Sequence, residues 1–266
     1  MSANLMSLAR NGGKFLKLFG DRKMVKTMPT ARDYVQDGLV AMWDGIENAG
    51  YGKHDSNERS IWVDLVGGHN MVIKGAVPDS VFTENAFHND NLKFGTICKD
   101  KITYGATAIT VETSAFLSED DRDALILQNR SGGDHNQGFT FFRYGSSMML
   151  PDYWSNYQLP SPRPMAFLSA GSSHALAFVL SNDEIRIFKN GVYVGGTPGD
   201  FTGLIEDINN IGCWKFSASG WGGADAMTGS NWTGDIYGAR VYSKALIDAE
   251  IAANYAIDKA RFNLPD

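Results

Sequence analysis

Residues 185–195 read Ile185-Arg186-Ile187-Phe188-Lys189-Asn190-Gly191-Val192-Tyr193-Val194-Gly195, and this stretch decides the fold class. Two β-prone runs flank an Asn-Gly pair. A type I′ turn needs φ > 0 at both central residues, which Asn and Gly tolerate best, so the stretch predicts a two-residue β-hairpin. Ile185 and Ile187 alternate with Arg186, which sets one face inward and the other outward.

The same pattern extends in both directions. From Gly38 onward, short runs rich in β-branched and aromatic residues are separated by Gly, Asn, Asp, Ser and Pro. Predicted strands cover 39–43, 60–66, 71–74, 108–116, 124–128, 138–144, 146–150, 165–168, 175–180, 184–189, 192–195, 210–216 and 234–242. Many strands without βα alternation predict an all-β fold of two packed antiparallel sheets. The 29 glycines among 266 residues follow no G-X-Y period and mark tight turns rather than collagen. One helix is expected near the end, over 243–255, where Leu246, Ile247, Ile251 and Tyr255 recur at helical spacing and Ser243 or Asp248 offers a cap.

Charge divides the chain. Residues 1–28 hold Arg10, Lys14, Lys17, Arg22, Lys23 and Lys26 against Asp21, a net +5, whereas the rest holds 18 Lys/Arg against 29 Asp/Glu, a net −11. An acidic body is a poor general ligand for nucleic-acid backbone. The basic head has no apolar run beyond pairs such as Phe15-Leu16, so it lacks the core of a secretion signal. It is expected to be an anchoring arm toward an assembly partner, with a polar linker from Pro29. The domain division that follows is 1–35 as arm and linker and 36–266 as one domain. No apolar run approaches the length of a membrane-spanning helix.

Three stretches carry a family resemblance. Asp37–Asp44 is followed by Trp62-Val63-Asp64-Leu65-Val66-Gly67. His174-Ala175-Leu176-Ala177-Phe178 leads into the Asn190-Gly191 hairpin. Asn210-Ile211-Gly212 precedes Trp232 and the run 233–242, then Ala245-Leu246 and Glu250-Ile251. Together these resemble LamG-like, concanavalin A-like jelly-roll domains over residues 36–262. The resemblance implies a jelly-roll sandwich, and its similarity to proteins of gut bacteria and their prophages implies a place in a phage virion, as a head, fibre or decoration component. A bacterial cell surface is the alternative location, and homo-oligomerisation is expected.

Jelly rolls also host glycosidases, so the fold does not decide activity. A retaining glycosidase needs two carboxyl groups about 5–5.5 Å apart. On one strand this requires acids at alternate positions. Glu112 sits in a strand-like run, but its i±2 neighbours are Thr110 and Ser114. Glu119, Asp120, Asp121 and Asp123 read as a turn, Asp183-Glu184 as a solvated strand opening, and Glu206-Asp207 as a loop. The five histidines form no metal-ligand spacing. His174 reads as a core residue. Cys98 and Cys213 read as buried fillers that can bridge only if their strands adjoin. The expectation is therefore a protein that is not an enzyme.

Recognition is the remaining reading. Flat aromatic rings with Asn, Asp and Gln neighbours suit sugars and protein partners. A Pro-rich loop at 151–158 holds Asp152, Tyr153, Trp154, Asn156 and Tyr157, and a Gly/Ser-rich loop at 214–225 holds Trp221. These six residues are the expected binding set, for a glycan or another cell-surface ligand. No cofactor is expected. Asp134, Asn136 and Asp225 are the candidate Ca²⁺ ligands, although no single loop offers the 6–8 oxygens that the ion takes. Two alternatives stand beside this reading: a purely structural virion protein without a ligand, and a glycan-cleaving enzyme with an atypical site.

Overall fold

The computed structural model describes residues 28–48, 60–75, 77, 81–89, 94–118, 124–130, 138–144, 148–153, 166–169, 171–216 and 233–265. Their strands form two sheets. One sheet runs β1 (Leu39–Asp44), β15 (Gly234–Tyr242), β6 (Ile109–Leu117), β11 (Ser172–Leu180), β12 (Glu184–Lys189) and β13 (Val192–Pro198), with β4 (Phe87–Asn89) also paired to β15. The other runs β10 (Ala166–Phe167), β9 (Met148–Tyr153), β8 (Gly138–Tyr144), β7 (Ala124–Arg130), β14 (Trp214–Phe216), β5 (Phe94–Cys98), β3 (Met71–Gly75) and β2 (Ile61–Trp62). Every pairing is antiparallel. Helix α1 (Thr202–Asn210) and helix α2 (Asp248–Phe262) complete the described residues, with a 3-10 turn over Ala31–Asp33. The expected two-sheet antiparallel jelly-roll sandwich with a C-terminal helix is the observed fold.

Alternation explains the layering. Phe178 and Leu180 on β11 enter the core between the sheets, while Ala177 and Val179 face a second apolar cluster with Phe188, Leu246 and Ile251. The main core is aromatic. Trp62 stacks on Phe87 with ring centroids 5.3 Å apart, and Trp43 meets Phe216 edge-on at 5.3 Å. Such pairs add to the stabilisation that burial of the rings already provides.

The 185–195 hairpin forms as predicted. Asn190 has φ 50° and Gly191 φ 74°, the left-handed pair of a type I′ turn. The Ala175 N–H donates to Asn190 Oδ1 at 3.0 Å, which ties the turn to the neighbouring strand. The Trp62–Gly67 motif also has a physical reason. The Asp64 carboxylate accepts N–H groups from Met42 (2.8 Å), Val66 (3.0 Å), Gly67 (3.0 Å) and His69 (2.8 Å), so one side chain organises a whole loop. A Cβ on Gly67 would lie 2.4 Å from the Val40 carbonyl oxygen, so only glycine fits.

Several expectations are corrected. The last helix begins at Asp248 and runs to Phe262, because the Glu250 carboxylate receives the Ile247 N–H at 3.0 Å and so starts the helix there rather than at Ser243. Glu206 and Asp207 lie on α1 rather than in a loop. That helix has no side-chain N-cap bond at Phe201, so the usual start signal is missing; Leu204, Ile205 and Ile208 hold it by burial. Strands β4 and β5, absent from the sequence reading, lie among Asn, Asp and Gly residues that read as turns. Residues 29–37 are packed rather than linking: Ala31 and Tyr34 are buried in the cluster that also holds Phe188 and Ile251. Residues 1–27 of the expected arm lie outside the described residues.

Candidate functional site

The outer faces of the two sheets differ in kind. On the seven-stranded sheet, β6 and β15 place Glu112 and Arg240 side by side, and α2 lays Asn254, Asp258 and Arg261 over them. Arg240 is 3% exposed. Its Nε donates to Glu112 Oε2 at 2.8 Å, Nη1 to Asp258 Oδ1 at 2.8 Å and Nη2 to Asp258 Oδ2 at 2.7 Å. Asn254 Nδ2 donates to Glu112 Oε2 at 2.8 Å, Ser114 Oγ to Asp258 Oδ2 at 2.7 Å, and the Tyr34 hydroxyl to Asp258 Oδ1 at 2.6 Å. The Tyr34 ring lies beneath the Arg240 guanidinium, 4.0 Å from its centroid.

A second guanidinium extends the network. Arg261 Nη2 donates to both Asp44 oxygens at 2.8 Å, and Nη1 donates to Glu47 Oε1 at 3.1 Å. Glu47 Oε1 also accepts the Ala31 N–H at 3.0 Å, and Val35 N–H donates to Asn254 Oδ1 at 2.9 Å. Residues 29–37 are thereby stitched to α2 and β1.

Burial shapes the protonation of these groups. Desolvation raises the pKa of Glu112 even against the pull of Arg240, and it raises Asp44 against Arg261. Burial pushes the Tyr34 hydroxyl well up, with Asp258 adding to the rise. Burial alone would lower Arg240, but Asp258 and Glu112 hold it well above its ordinary value. The two carboxylates that share Arg240 therefore face a guanidinium under a helix rather than an open groove. Together they close this face of the sandwich.

The eight-stranded sheet carries a different pattern outward. Register partners Ile61, Val72, Ile97, Lys215, Gln128, Thr140 and Asp152 form one row across seven strands. Trp214 and Phe216, on either side of Lys215, belong to the core, so this row lies on the face away from it. Lys215 and Gln128 are each 1% exposed, whereas Val72 at the other end is 40% exposed.

The structure separates the expected binding residues. Asp152 and Tyr153 lie at the end of β9 rather than in a loop, because β8 pairs with them. They occupy different rows: Asp152 has its register position in that of Lys215, and Tyr153 in that of Phe139, Asn129, Trp214 and Cys98. Trp154, Asn156, Tyr157 and Trp221 lie outside the described residues, as do the candidate calcium ligands Asp134, Asn136 and Asp225. Lys215 and Gln128 went unnoticed in the sequence. The signal was present as a lysine between two aromatics in Trp214-Lys215-Phe216, but only the pairing of β14 with β7 shows that Gln128 lies beside it.

The remaining singled-out side chains are placed as follows. His174 is buried, its Nε2 lying 3.0 Å from the Ser169 carbonyl oxygen, and burial lowers its pKa. His88 Nδ1 lies 2.6 Å from Asp235 Oδ1, and His69 Nδ1 lies 2.9 Å from Asp100 Oδ2. Cys98 and Cys213 are buried thiols that form no disulfide. Cys213 directly precedes β14, which pairs with the β5 strand of Cys98, but Cys98 belongs to the main core while Cys213 packs with Ile97 and Ile211 in a separate cluster. No helix among the described residues is long and apolar enough to cross a membrane.

No protein-family model matches the chain, and no curated protein matches it. Solved structures do. A mutant of Trypanosoma rangeli sialidase displaying trans-sialidase activity aligns with a TM-score of 0.58 at 13% identity, over 86% of this chain and 34% of that one. Domain 4 of AbnA, an extracellular arabinanase from Geobacillus stearothermophilus, in complex with arabinotriose, aligns with a TM-score of 0.52 at 15% identity, over 82% of this chain and 98% of that one. The botulinum neurotoxin serotype D binding domain aligns with a TM-score of 0.51 at 14% identity, over 83% of this chain and 51% of that one. The chain thus spans about a third of the sialidase and about half of the neurotoxin domain, but nearly all of the arabinanase domain. At these identities the likeness is one of fold, a two-sheet β-sandwich.

Proposed function

We propose that this chain is a non-catalytic, LamG-like recognition module that binds glycan through the outer face and rim of its eight-stranded sheet. One observation carries this reading. The chain closes the outer face of the seven-stranded sheet with its own helix α2 and an arginine–carboxylate network. On the opposite sheet, Asp152 has its register position in the row that also holds the exposed Val72, at the root of the aromatic segment 151–158.

Two further points support it. The arabinanase domain, which this chain matches over nearly its whole length, was solved with arabinotriose, so a sandwich of this size and topology accommodates a saccharide. Glu112 and Asp44, acids on strands of the closed sheet, are both held by arginines, a poor arrangement for the free acid and nucleophile that glycoside hydrolysis requires. The root of the basic arm lies on the closed face, where Tyr34 and Ala31 pack, so attachment and recognition fall on opposite sides. By the family resemblance, such a module is displayed on a phage particle or a gut-bacterial surface.

A glycan array probed with the full chain, with Trp154→Ala and with Trp221→Ala tests the reading. Binding by the full chain and its loss in at least one variant is expected. Binding unchanged in both variants, or release of reducing ends from the arrayed glycans, overturns it.

A further inference from the structure

We propose that Glu112 keeps its carboxyl proton at neutral pH and that this proton latches helix α2 and residues 29–37 onto the sandwich, a device independent of what the module binds. The observation is a count of charges and donors. Arg240 is shared by two buried carboxyl groups, Glu112 and Asp258, which are 3% and 1% exposed. The second buried guanidinium does not redress the balance, because Arg261 is taken up by Asp44, Glu47 and the Pro29 carbonyl. Two carboxylates beside one guanidinium leave an uncompensated negative charge out of water, and a proton on one of them removes it.

The hydrogen bonds select the carboxyl that holds it. An ionised carboxylate offers about four lone-pair sites. Those of Asp258 are filled: Oδ1 accepts from Tyr34 and Arg240, and Oδ2 from Ser114 and Arg240. On Glu112, Oε2 accepts from Arg240 and Asn254, while Oε1 receives no donor among the described residues. A proton on Oε1 leaves both bonds at Oε2 intact, whereas a proton on Asp258 displaces one of its four donors. Beside Glu112 lies a cavity of about 10 Å³ that Arg240, Asp258, Gly191 and Tyr255 also line. That is about the space one water needs, and a water there can accept the acid's O–H. Burial raises the Glu112 pKa, in the same sense.

The other groups around Glu112 do not supply the missing charge. Strand β15 brings Arg240 and Tyr242, and burial pushes the Tyr242 hydroxyl up, so it stays neutral. Tyr34, from the N-terminal segment, is held neutral in the same way. Helix α2 brings Asn254, Asp258 and Tyr255, whose hydroxyl donates to the Pro265 carbonyl. Strand β11 lines the cavity with Ala175, Leu176 and Ala177. Tyr34 and α2 meet on Asp258, and the Val35 N–H donates to Asn254, so residues 29–37 and the helix share this one cluster. When α2 lifts, Glu112 meets water and gives up its proton at the ordinary 4.5 of a glutamate. Between that value and the raised folded one, each pH unit favours the lifted state by up to about tenfold. Above the folded value the closed state loses the proton too, and the effect levels off.

Infrared spectra of the full chain, with its glutamate carboxyls isotopically labelled, test the proton, and amide hydrogen exchange tests the latch. At neutral pH a carboxylic-acid C=O band that moves with glutamate labelling is expected. Glu112→Gln, whose amide oxygen still accepts from Arg240 and Asn254, loses the band, and Glu47→Gln keeps it. Exchange in α2 and over residues 29–37, compared between the parent and Glu112→Gln at each pH, gives the opening of one relative to the other. That ratio rises by up to about tenfold per pH unit and levels where the band disappears. No glutamate acid band at neutral pH, a band that survives in Glu112→Gln or vanishes in Glu47→Gln, or a ratio constant with pH overturns the proposal. Where Glu112→Gln fails to fold, the parent's labelled band and its fate in Glu47→Gln decide the protonation, and the parent's own exchange must still rise with pH and level with the band.

Discussion

Arg240 and Asp258 face each other with two parallel hydrogen bonds, Nη1 to Oδ1 at 2.8 Å and Nη2 to Oδ2 at 2.7 Å, between a strand and the C-terminal helix. The pair fastens α2 to the sandwich and leaves both ions out of water. Removing one partner strands the other charge, so Asp258→Ala is expected to cost about 3–5 kcal/mol. Denaturant unfolding measures it, and a loss below about 1 kcal/mol would show that water reaches the guanidinium.

Tyr34 joins the same carboxylate from the N-terminal side. Tyr34→Phe keeps the ring under Arg240 and removes only the hydroxyl, a hydrogen bond to a charged group worth about 1.5–3 kcal/mol. Faster amide exchange in α2 should accompany the loss, since residues 29–37 and the helix hold each other.

Glu112 supplies a pH signature. Burial raises its folded pKa above the ordinary 4.5 of a glutamate, so the folded chain binds this proton more tightly than the unfolded one. Its contribution to stability is complete below the unfolded pKa and declines as pH rises through the raised folded value. Glu112→Gln does not titrate and still accepts from Arg240 and Asn254. The melting temperature of this variant relative to the parent should therefore climb as pH rises from about 4.5. A constant or falling difference would contradict the assignment.

Gly191 has φ 74°, and a Cβ there would lie 2.9 Å from Tyr255 Cβ. Gly191→Ala must adopt a left-handed backbone that costs about 1–2 kcal/mol and also push against α2. A lower melting temperature is expected, whereas an unchanged one would mean that the hairpin shifts freely away from the helix.

Burial pushes the Cys98 thiol up to about 12, and Cys213 is buried in a separate cluster. Neither should react with a thiol reagent before unfolding, and air oxidation should not join them. Rapid labelling of the native chain would show that this sheet opens.

Local chemistry was legible where it acts within a few residues. Asn190-Gly191 specified its turn because the required backbone angles belong to those two residue types, and strand periodicity set the sandwich because a half-buried sheet imposes a period of two. The Trp62–Gly67 motif could be quoted from the sequence, but its cause, Asp64 gathering four amides, needed the folded loop. Helix α1 escaped because it starts without a cap and is held by burial.

What tertiary structure alone decided is the company each charge keeps. Glu112 looked like a solitary strand acid, and its partner Arg240 lies 128 residues away. Tyr34 sat in an apparent linker, and its acceptor Asp258 lies 224 residues on. Asp152 and Tyr153, neighbours in one aromatic segment, went to separate rows of the sheet. Strand order and register set these relationships, and they depend on contacts between distant segments for which no residue carries a local signal.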